Sequence, residues 1–310
     1  MNQTALVIIK SMGIGDLVIL KSNIDAISNS IKKKVVVLAQ KNTRAAEILK
    51  HDPHVLDVIT LDKKGFFNII KKIKPYNFSQ SYIYSDSLRL YLISKLSGIK
   101  ENFQYKLFSK KNKNFFKTAK KFTEEILDAK IDHQSKIFWD SKEIENTRKK
   151  FNITNETKNI ICGISASGYT KRYPIENYIK LFENINKKFA CKFFIALGPK
   201  DEELLNKMTN SSIKNKCIFF SKMTIAETIP IISACKYYIG NDTGWGQISA
   251  ALNLKSLFIF CDSPSEAYGA WRNNIKIILP EGLKICEHST KGKDKISFNE
   301  VLTKSIDLIN

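Results

Sequence analysis

The chain has 310 residues, 43% hydrophobic and 26% charged, which at roughly 100–200 residues per domain makes about two domains and excludes disordered, collagen-like and disulfide-stapled classes. Fifty Lys+Arg against 30 Asp+Glu leave a net charge of +20. Such a balance points to a polyanionic partner, whether nucleic acid, an anionic membrane face or a phosphorylated substrate.

Short β-type runs alternate with helical patterns, the signature of parallel βαβ units. Ala5–Ile9 reads as a buried strand, and the glycine turn Ser11–Gly15 leads into a helix through about Ser28. A strand at Lys34–Leu38, a helix near Thr43–Lys50, a strand at Val55–Leu61, a helix at Phe66–Ile73, a strand at Ser79–Tyr84 and a helix at Ser87–Ser97 complete one α/β layer. The polar stretch Ser141–Lys158 is expected to hold the domain boundary. A second series then follows: strand Asn159–Ile164, helix from Pro174, strand Cys191–Leu197, helix near Asp201–Lys207, strand Cys217–Phe220, helix from Thr224, strand Tyr237–Ile239, helix from Trp245 and strand Ser256–Phe260. Thr224–Glu227 and Ser297–Glu300 have capping-box spacing. The expected domains are 1–155 and 156–292, with a closing helix in 293–310 that could fold back on the first.

No apolar run approaches the roughly 18 residues of a membrane helix, and the N-terminus lacks the basic region of a secretory signal. A cytoplasmic protein, peripheral to a membrane at most, is expected. The six cysteines (Cys162, Cys191, Cys217, Cys235, Cys261 and Cys286) form no Cys-x-x-Cys pair and read as reduced, mostly buried thiols. His51, His54, His133 and His288 are scattered, so no metal site is expected. Lys100–Lys121 carries eight lysines against the single acid Glu101, interleaved with aromatic residues. It is either a solvated face or a cationic surface for an anionic acceptor or lipid headgroups.

Three segments could carry chemistry. In Lys10-Ser-Met-Gly-Ile-Gly-Asp16 the glycines bring backbone N–H groups and a helix N-terminus to a ligand. Asp16 is either a partner of the helix dipole or, in a cleft, a general base. Ser165-Ala-Ser-Gly-Tyr-Thr-Lys-Arg-Tyr-Pro174 sets hydroxyls and two cations, Lys171 and Arg172, at the end of a strand, where they suit phosphate oxygens. Gly240-Asn-Asp-Thr-Gly244 again joins strand to helix, and the Thr243 and Gly244 amides would make an anion site there. Each of these is also a common turn, and one alone decides nothing.

In their order and spacing these segments resemble glycosyltransferase family 9, the bacterial heptosyltransferase family. Lys10–Asp16 is similar to its first-strand motif, His51–Ile59 to its Pro-x-Val-Asp-x-Val-Ile segment with Leu56 inserted, Thr170–Pro174 to Thr-Lys-x-Trp-Pro, and Asn241–Ala251 to Asp-Thr-Gly-x-x-His-x-Ala-Ala. The resemblance implies a GT-B fold, two Rossmann-like α/β domains facing a central cleft, and a nucleotide-sugar donor. Asp16 would be the catalytic base. Lys171 and the Ser165 and Ser167 hydroxyls would hold donor phosphates, with the Thr243 and Gly244 amides on the pyrophosphate. Asp242 would contact the donor sugar, and Asp201 or Glu202 the ribose. Lys10, Gly15, Lys21 and Arg89 would lie on the acceptor side. Gln247, which the resemblance places among the donor-binding residues, stands where the family carries His, Lys21 where it carries Pro, and Tyr173 where it carries Trp. Gln keeps hydrogen bonding but cannot become a cation. A solvent-facing side chain is the plainer reading of Lys21.

The implied function is inverting transfer of a sugar, heptose from ADP-heptose, to a lipopolysaccharide-core or related anionic glycolipid at the inner face of the bacterial cytoplasmic membrane. No cofactor or metal is expected, since the chain has no Asp-x-Asp triplet, and a monomer is the expected state. The alternatives are transfer of another nucleotide sugar, a same-fold nucleotide-sugar epimerase, an inactive family member, and a basic nucleic-acid-binding protein. The last would show steep salt dependence, but no nucleic-acid motif is present and no nucleic-acid partner is expected.

Overall fold

In the computed structural model the described residues are 4–10, 13–61, 65–105 and 114–310. Lys106, Lys110, Lys111 and Lys113 of the basic stretch lie outside them. The chain divides into two compact units, Met1–Phe138 and Trp139–Asn310.

In the first unit β1 (Ala5–Ile9), β2 (Val35–Gln40), β3 (Val55–Leu61), β4 (Gln80–Tyr84) and β5 (Glu101–Gln104) form a parallel sheet in the order β3-β2-β1-β4-β5. They alternate with α1 (Ile14–Ile31), α2 (Ala45–Ile48), α3 (Phe66–Ile73) and α4 (Leu88–Leu96), and α5 (Phe115–Leu127) follows. The central strand β1 is buried along its whole length, as its unbroken apolar run requires of a strand covered on both faces. On one face Leu6, Ile8, Val36 and Leu38 meet Ile69, Ile70 and Ile73 of α3 and Leu90 and Ile93 of α4. Helix α5 packs on α1, where the Thr123 hydroxyl donates to Asn23 Oδ1 at 2.7 Å.

The second unit begins with α6 (Ser141–Lys150), which packs on a later helix, α9. The stretch read as an interdomain connection is thus partly a helix of the second unit, and the division falls at Phe138/Trp139 rather than at residue 155. Its N-terminus is capped by Asp140, which accepts from the Glu143 amide at 2.9 Å. Then follow β6 (Lys158–Gly163), α7 (Ile175–Lys188), β7 (Cys191–Ala196), α8 (Glu202–Thr209), β8 (Cys217–Phe219), α9 (Ile225–Ala234), β9 (Tyr237–Asn241), α10 (Gly244–Ala251), β10 (Lys255–Ile259), α11 (Ser265–Tyr268), β11 (Ile275–Ile278) and α12 (Phe298–Ile309). The six-stranded sheet runs β11-β10-β9-β6-β7-β8, all parallel. The capping box at Thr224 and Glu227 forms as expected. The closing helix α12 packs on α7, β9 and β10 of its own unit. Its C-terminal Ile309 carbonyl accepts from Lys158 Nζ at 3.0 Å and from the Tyr237 hydroxyl at 3.1 Å.

Lys21 departs from its expectation. Its side chain is 1% exposed, with the ammonium 2.7 Å from Asp52 Oδ2 and paired with Asp25. The Phe138 ring centroid lies 5.0 Å away. His54 Nδ1 is 3.1 Å from the same Asp25 oxygen. Asp25, Asp52 and His54 offer ligand-type atoms within 4.8 Å of one another, and the Lys21 ammonium is the cation seated among them. Burial raises the pKa of Asp25 even against the Lys21 charge. Lys21 therefore neutralises buried carboxylates and does not face solvent.

Removing one partner of such a group strands the others. Lys21→Met is expected to cost about 3 kcal/mol or more of unfolding free energy, read by equilibrium denaturant unfolding; a loss below about 1 kcal/mol would contradict this account of the cluster.

Candidate active site

Both sheets reverse their winding between two adjacent strands, β1 and β4 in the first unit and β6 and β9 in the second. In open parallel sheets ligands bind outside the carboxyl ends of the strands at that switch point. The three chemistry-bearing segments all leave strands there: Lys10–Asp16 after β1, Ser165–Pro174 after β6 and Asp242–Gly244 after β9.

In the second unit the two flanking loops are fastened through Asn241, the last residue of β9, which is fully buried. Its amide nitrogen donates to the carbonyls of Ile164 and Ser165 at 3.1 and 3.3 Å. Its oxygen accepts from the Tyr173 amide and the Tyr178 hydroxyl, each at 3.0 Å. Glycine permits the close approach beside it, since a Cβ at Gly240 would stand 2.5 Å from the Gly163 backbone. Tyr238 fills the space left by Gly163 and Gly246. Its hydroxyl donates to the Asn241 carbonyl at 2.6 Å and lies 3.2 Å from the Thr243 hydroxyl. Thr243 caps α10, accepting from the Gly246 amide at 3.2 Å, so this helix start faces the edge of the sheet with its dipole.

The adjacent cations Lys171 and Arg172 part company. Arg172 turns inward to the Ala166 carbonyl at 3.1 Å and to Asp201 Oδ1 at 2.9 Å. The other Asp201 oxygen accepts from the Ser165 hydroxyl at 2.7 Å and the Gly198 amide at 2.8 Å. Ser165, Arg172 and Asp201 thus fasten two loops together. The hydroxyl proton expected for phosphate and the carboxylate considered for ribose are both engaged inside the protein. Glu202, in the first turn of α8, and Ser167 are exposed, while Lys171 is half-buried.

Asp242 is gripped from two sides. Gln247 Nε2 donates to its Oδ1 at 2.8 Å and the Ser263 hydroxyl to its Oδ2 at 3.0 Å. Gln247 is fully buried, also donates to the Tyr268 carbonyl at 3.0 Å, and accepts from Trp271 Nε1 at 2.7 Å. Both sides of its amide are spent, so it holds Asp242 in place, where direct donor contact was expected. Next to Ser263, Asp262 accepts from the Thr170 hydroxyl at 2.5 Å and from the Lys291 amide at 2.9 Å. Burial works to raise its pKa. The Thr170 and Lys291 hydrogen bonds, with the fields of Lys171 and His288, nonetheless hold it below the usual aspartate value of 3.8.

Sequence reasoning missed Asn241 as a fastener, the Asp262–Ser263 pair and Trp271. The only signal for the pair was two polar residues that end the buried apolar run through β10, Phe260 and Cys261. Cys261 directly precedes Asp262 and Cys286 neighbours Ser263, but all six cysteines are free and five are buried. Burial pushes Cys191 up to about 11 and Cys261 up to about 12, values of unreactive thiols.

In the first unit Gly13 is the N-cap of α1 and supplies no side chain, with Gly15 and the half-buried Asp16 in the first turn. Lys10 is exposed, and its carbonyl accepts from Gln40 Nε2 at 3.4 Å. Across the switch point the turn after β4 is held by Gln104, which donates to the Ser85 and Ser87 carbonyls at 2.9 and 3.0 Å; the exposed Arg89 follows on α4. Lys21 does not join them: farther along α1 than Asp16, it is buried against Asp25 and against Asp52 of the turn before β3.

Two parallel α/β units, each presenting glycine turns and polar loops at a switch point, define the GT-B class of fold. The sequence profile of glycosyltransferase family 9 (heptosyltransferase) matches residues 102–296, and the chain belongs to that family. It is 28% identical over 217 residues to lipopolysaccharide heptosyltransferase 1 of Campylobacter coli, covering 65% of this chain and 63% of that protein. In fold it is similar to E. coli ADP-heptose LPS heptosyltransferase II, with a TM-score of 0.80, 17% identity and 99% and 98% of the two chains covered. The family 9 glycosyl transferase of Veillonella parvula is similar at a TM-score of 0.81, 14% identity and 99% and 97% coverage.

The lowered pKa of Asp262 fixes a sign. A carboxylate held below its unfolded value stabilises the fold above that value and loses the contribution as pH falls through the lower one. Asp262→Asn is therefore expected to lower the melting temperature near neutral pH, with the gap to wild type closing on acidification. A gap that does not change with pH would show that the Asp262 charge is not what holds Thr170.

Proposed function

We propose that this chain is an inverting, metal-independent glycosyltransferase that moves heptose from ADP-heptose to a lipopolysaccharide-core or related glycolipid at the cytoplasmic face of the membrane. The observation that carries the reading is the arrangement around the second sheet's switch point. The half-buried cation Lys171 lies on the loop that leaves β6, Asp242 and the capped helix start at Thr243–Gly244 lie on the loop that leaves β9, and Asn241 ties the two loops together. The E. coli protein of the same fold is named for ADP-heptose, which supports the donor class.

The chemistry follows from where charge develops. As the bond from the anomeric carbon to phosphate breaks, the carbon gains positive character and the departing diphosphate gains negative charge. Lys171 and the amides at the start of α10 meet the diphosphate. Asp242, fixed by Gln247 and Ser263, accepts hydrogen bonds from sugar hydroxyls, and Glu202 is the exposed carboxylate for ribose. Asp16, carried by the first unit, takes the proton of the acceptor hydroxyl as that oxygen attacks from the face opposite the leaving group, which inverts the anomeric centre. Lys10, Gly15 and Arg89 lie on the same unit, where an anionic acceptor would be received. This reading gives no step to a metal, and the cations of the protein supply the charge.

Asp16→Asn is expected to lower kcat roughly a hundred- to ten-thousand-fold while leaving nucleotide affinity unchanged; undiminished transfer would remove Asp16 as the base. Lys171→Ala is expected to weaken ADP binding about tenfold, read by calorimetric titration, and an unchanged Kd would remove Lys171 from the diphosphate. Thermal-shift profiles with ADP, GDP, UDP and CMP test the donor. Selective stabilisation by ADP supports heptose transfer, whereas selectivity for UDP or GDP would replace ADP-heptose with another sugar nucleotide.

A further inference from the structure

Helix α4 (LRLYLISKL) carries apolar residues on two sides, yet it covers the first sheet with one side only, where a helix on a sheet is expected to keep its outer side polar. Leu90 and Ile93 point into the core. Leu88, Leu92 and Leu96 lie four residues apart in one row along the outside, 57%, 41% and 54% exposed. The neighbouring helix α3, packed against α4, adds Phe67 at 72% exposure. The same two helices and the turns beside them carry Lys71, Lys72, Lys74, Arg89, Lys95 and Lys100, all exposed, against Asp86 and, at the start of β5, Glu101.

We propose that this face of α3 and α4 docks the protein on an anionic lipid bilayer, the leucine row and Phe67 entering the boundary between headgroups and acyl chains and the surrounding cations meeting lipid phosphates. The inference rests on the proposed glycolipid acceptor for its purpose and on the chemistry of this face for its mechanism. Apolar side chains rimmed by Lys and Arg are the composition of helices that lie in a membrane interface. Among the described residues no helix is long and apolar enough to cross a membrane, so the contact is peripheral. A second copy of the chain fits this face poorly, because self-association would bring two cationic rims together. Nucleic acid offers the leucines nothing to bury.

The test is co-sedimentation of the full chain with vesicles of phosphatidylethanolamine and phosphatidylglycerol, and with vesicles of phosphatidylcholine alone. Wild type is expected to prefer the anionic vesicles. The triple variant Leu88→Ser, Leu92→Ser, Leu96→Ser should lose about tenfold or more of that binding, with its melting temperature held close to wild type because the three side chains are exposed. Lys71→Gln with Lys95→Gln, a second variant that leaves the leucines intact, should weaken binding at low salt and not at high salt. Unchanged vesicle binding by the triple variant would overturn the proposal, as would a wild-type dimer in sedimentation velocity that the triple variant dissolves. Transfer to a soluble, delipidated acceptor separates the two readings: transfer without vesicle binding in wild type overturns the docking face alone, and vesicle binding without transfer overturns the enzymatic reading alone.

Discussion

Everything at the second unit's edge depends on one buried amide. Asn241 presents two donors and two acceptor sites, and all four are used on the loop that leaves β6 and on α7. An aliphatic residue there would strand two carbonyls and a backbone N–H away from water, each costing roughly 1–3 kcal/mol. Aspartate could accept but not donate, and would put a bare charge in a fully buried position. Since Asn241 immediately precedes Asp242 and Thr243, the same amide that closes the first loop fixes where the second begins. The backbone of the loop that carries Lys171 is thereby tied to the residue just before the α10 helix start.

Around that clasp the structure distinguishes charges that sequence cannot. Lys171 and Arg172 are neighbours, both cations in a loop after a strand. Arg172 has a planar fork that satisfies a carbonyl and a carboxylate together, which suits it to fastening. Lys171, a point charge on a flexible stem, is left at the edge of the sheet. The same division recurs in the first unit, where Lys21 is buried among carboxylates while Arg89 is exposed on the surface. Of the +20 carried by the chain, the buried part organises loops and the exposed part gives the molecule its outward field.

How far this was legible follows from where each element draws its stability. Strands β1 and β3 and helix α3 have the expected limits: β1 is an unbroken apolar run buried on both faces, and α3 gathers Ile69, Ile70 and Ile73 on one buried face. Strand β5, Glu101–Gln104, was missed: it is a polar edge strand held by its pairing with β4. Helix α6 (SKEIENTRKK) has no fully buried residue, so its sequence reads as a linker and its helicity comes from a cap and from packing on α9. At the site, the motifs identified which loops matter because strand-end glycines and hydroxyls are local signals. The roles within those loops depend on partners 36 residues away for Ser165 and 92 for Thr170, and spacing alone carries no trace of these. Lys21 is the instructive reversal. Its partner Asp25 sits one helical turn on, the commonest surface pairing, and only the approach of Asp52 and Phe138 turns that pair into a buried one.

The resident carboxylate beside Lys171 has a consequence for turnover on the proposed reading. Asp262 is ionised, lies within the field of Lys171 and holds Thr170. An arriving diphosphate must therefore share Lys171 with a charge already present, which costs ground-state affinity. As the sugar bond breaks, extra negative charge appears on the leaving oxygens, and the attraction of Lys171 for them grows while its attraction for Asp262 stays constant. The Lys171 interaction is thus weighted toward the transition state, the condition under which binding energy raises kcat and not affinity alone, while the repulsion from Asp262 grows with the same charge and offsets part of it. The same carboxylate then repels the spent diphosphate and favours its release, so a residue that touches neither reacting atom influences both ends of the cycle through one shared lysine.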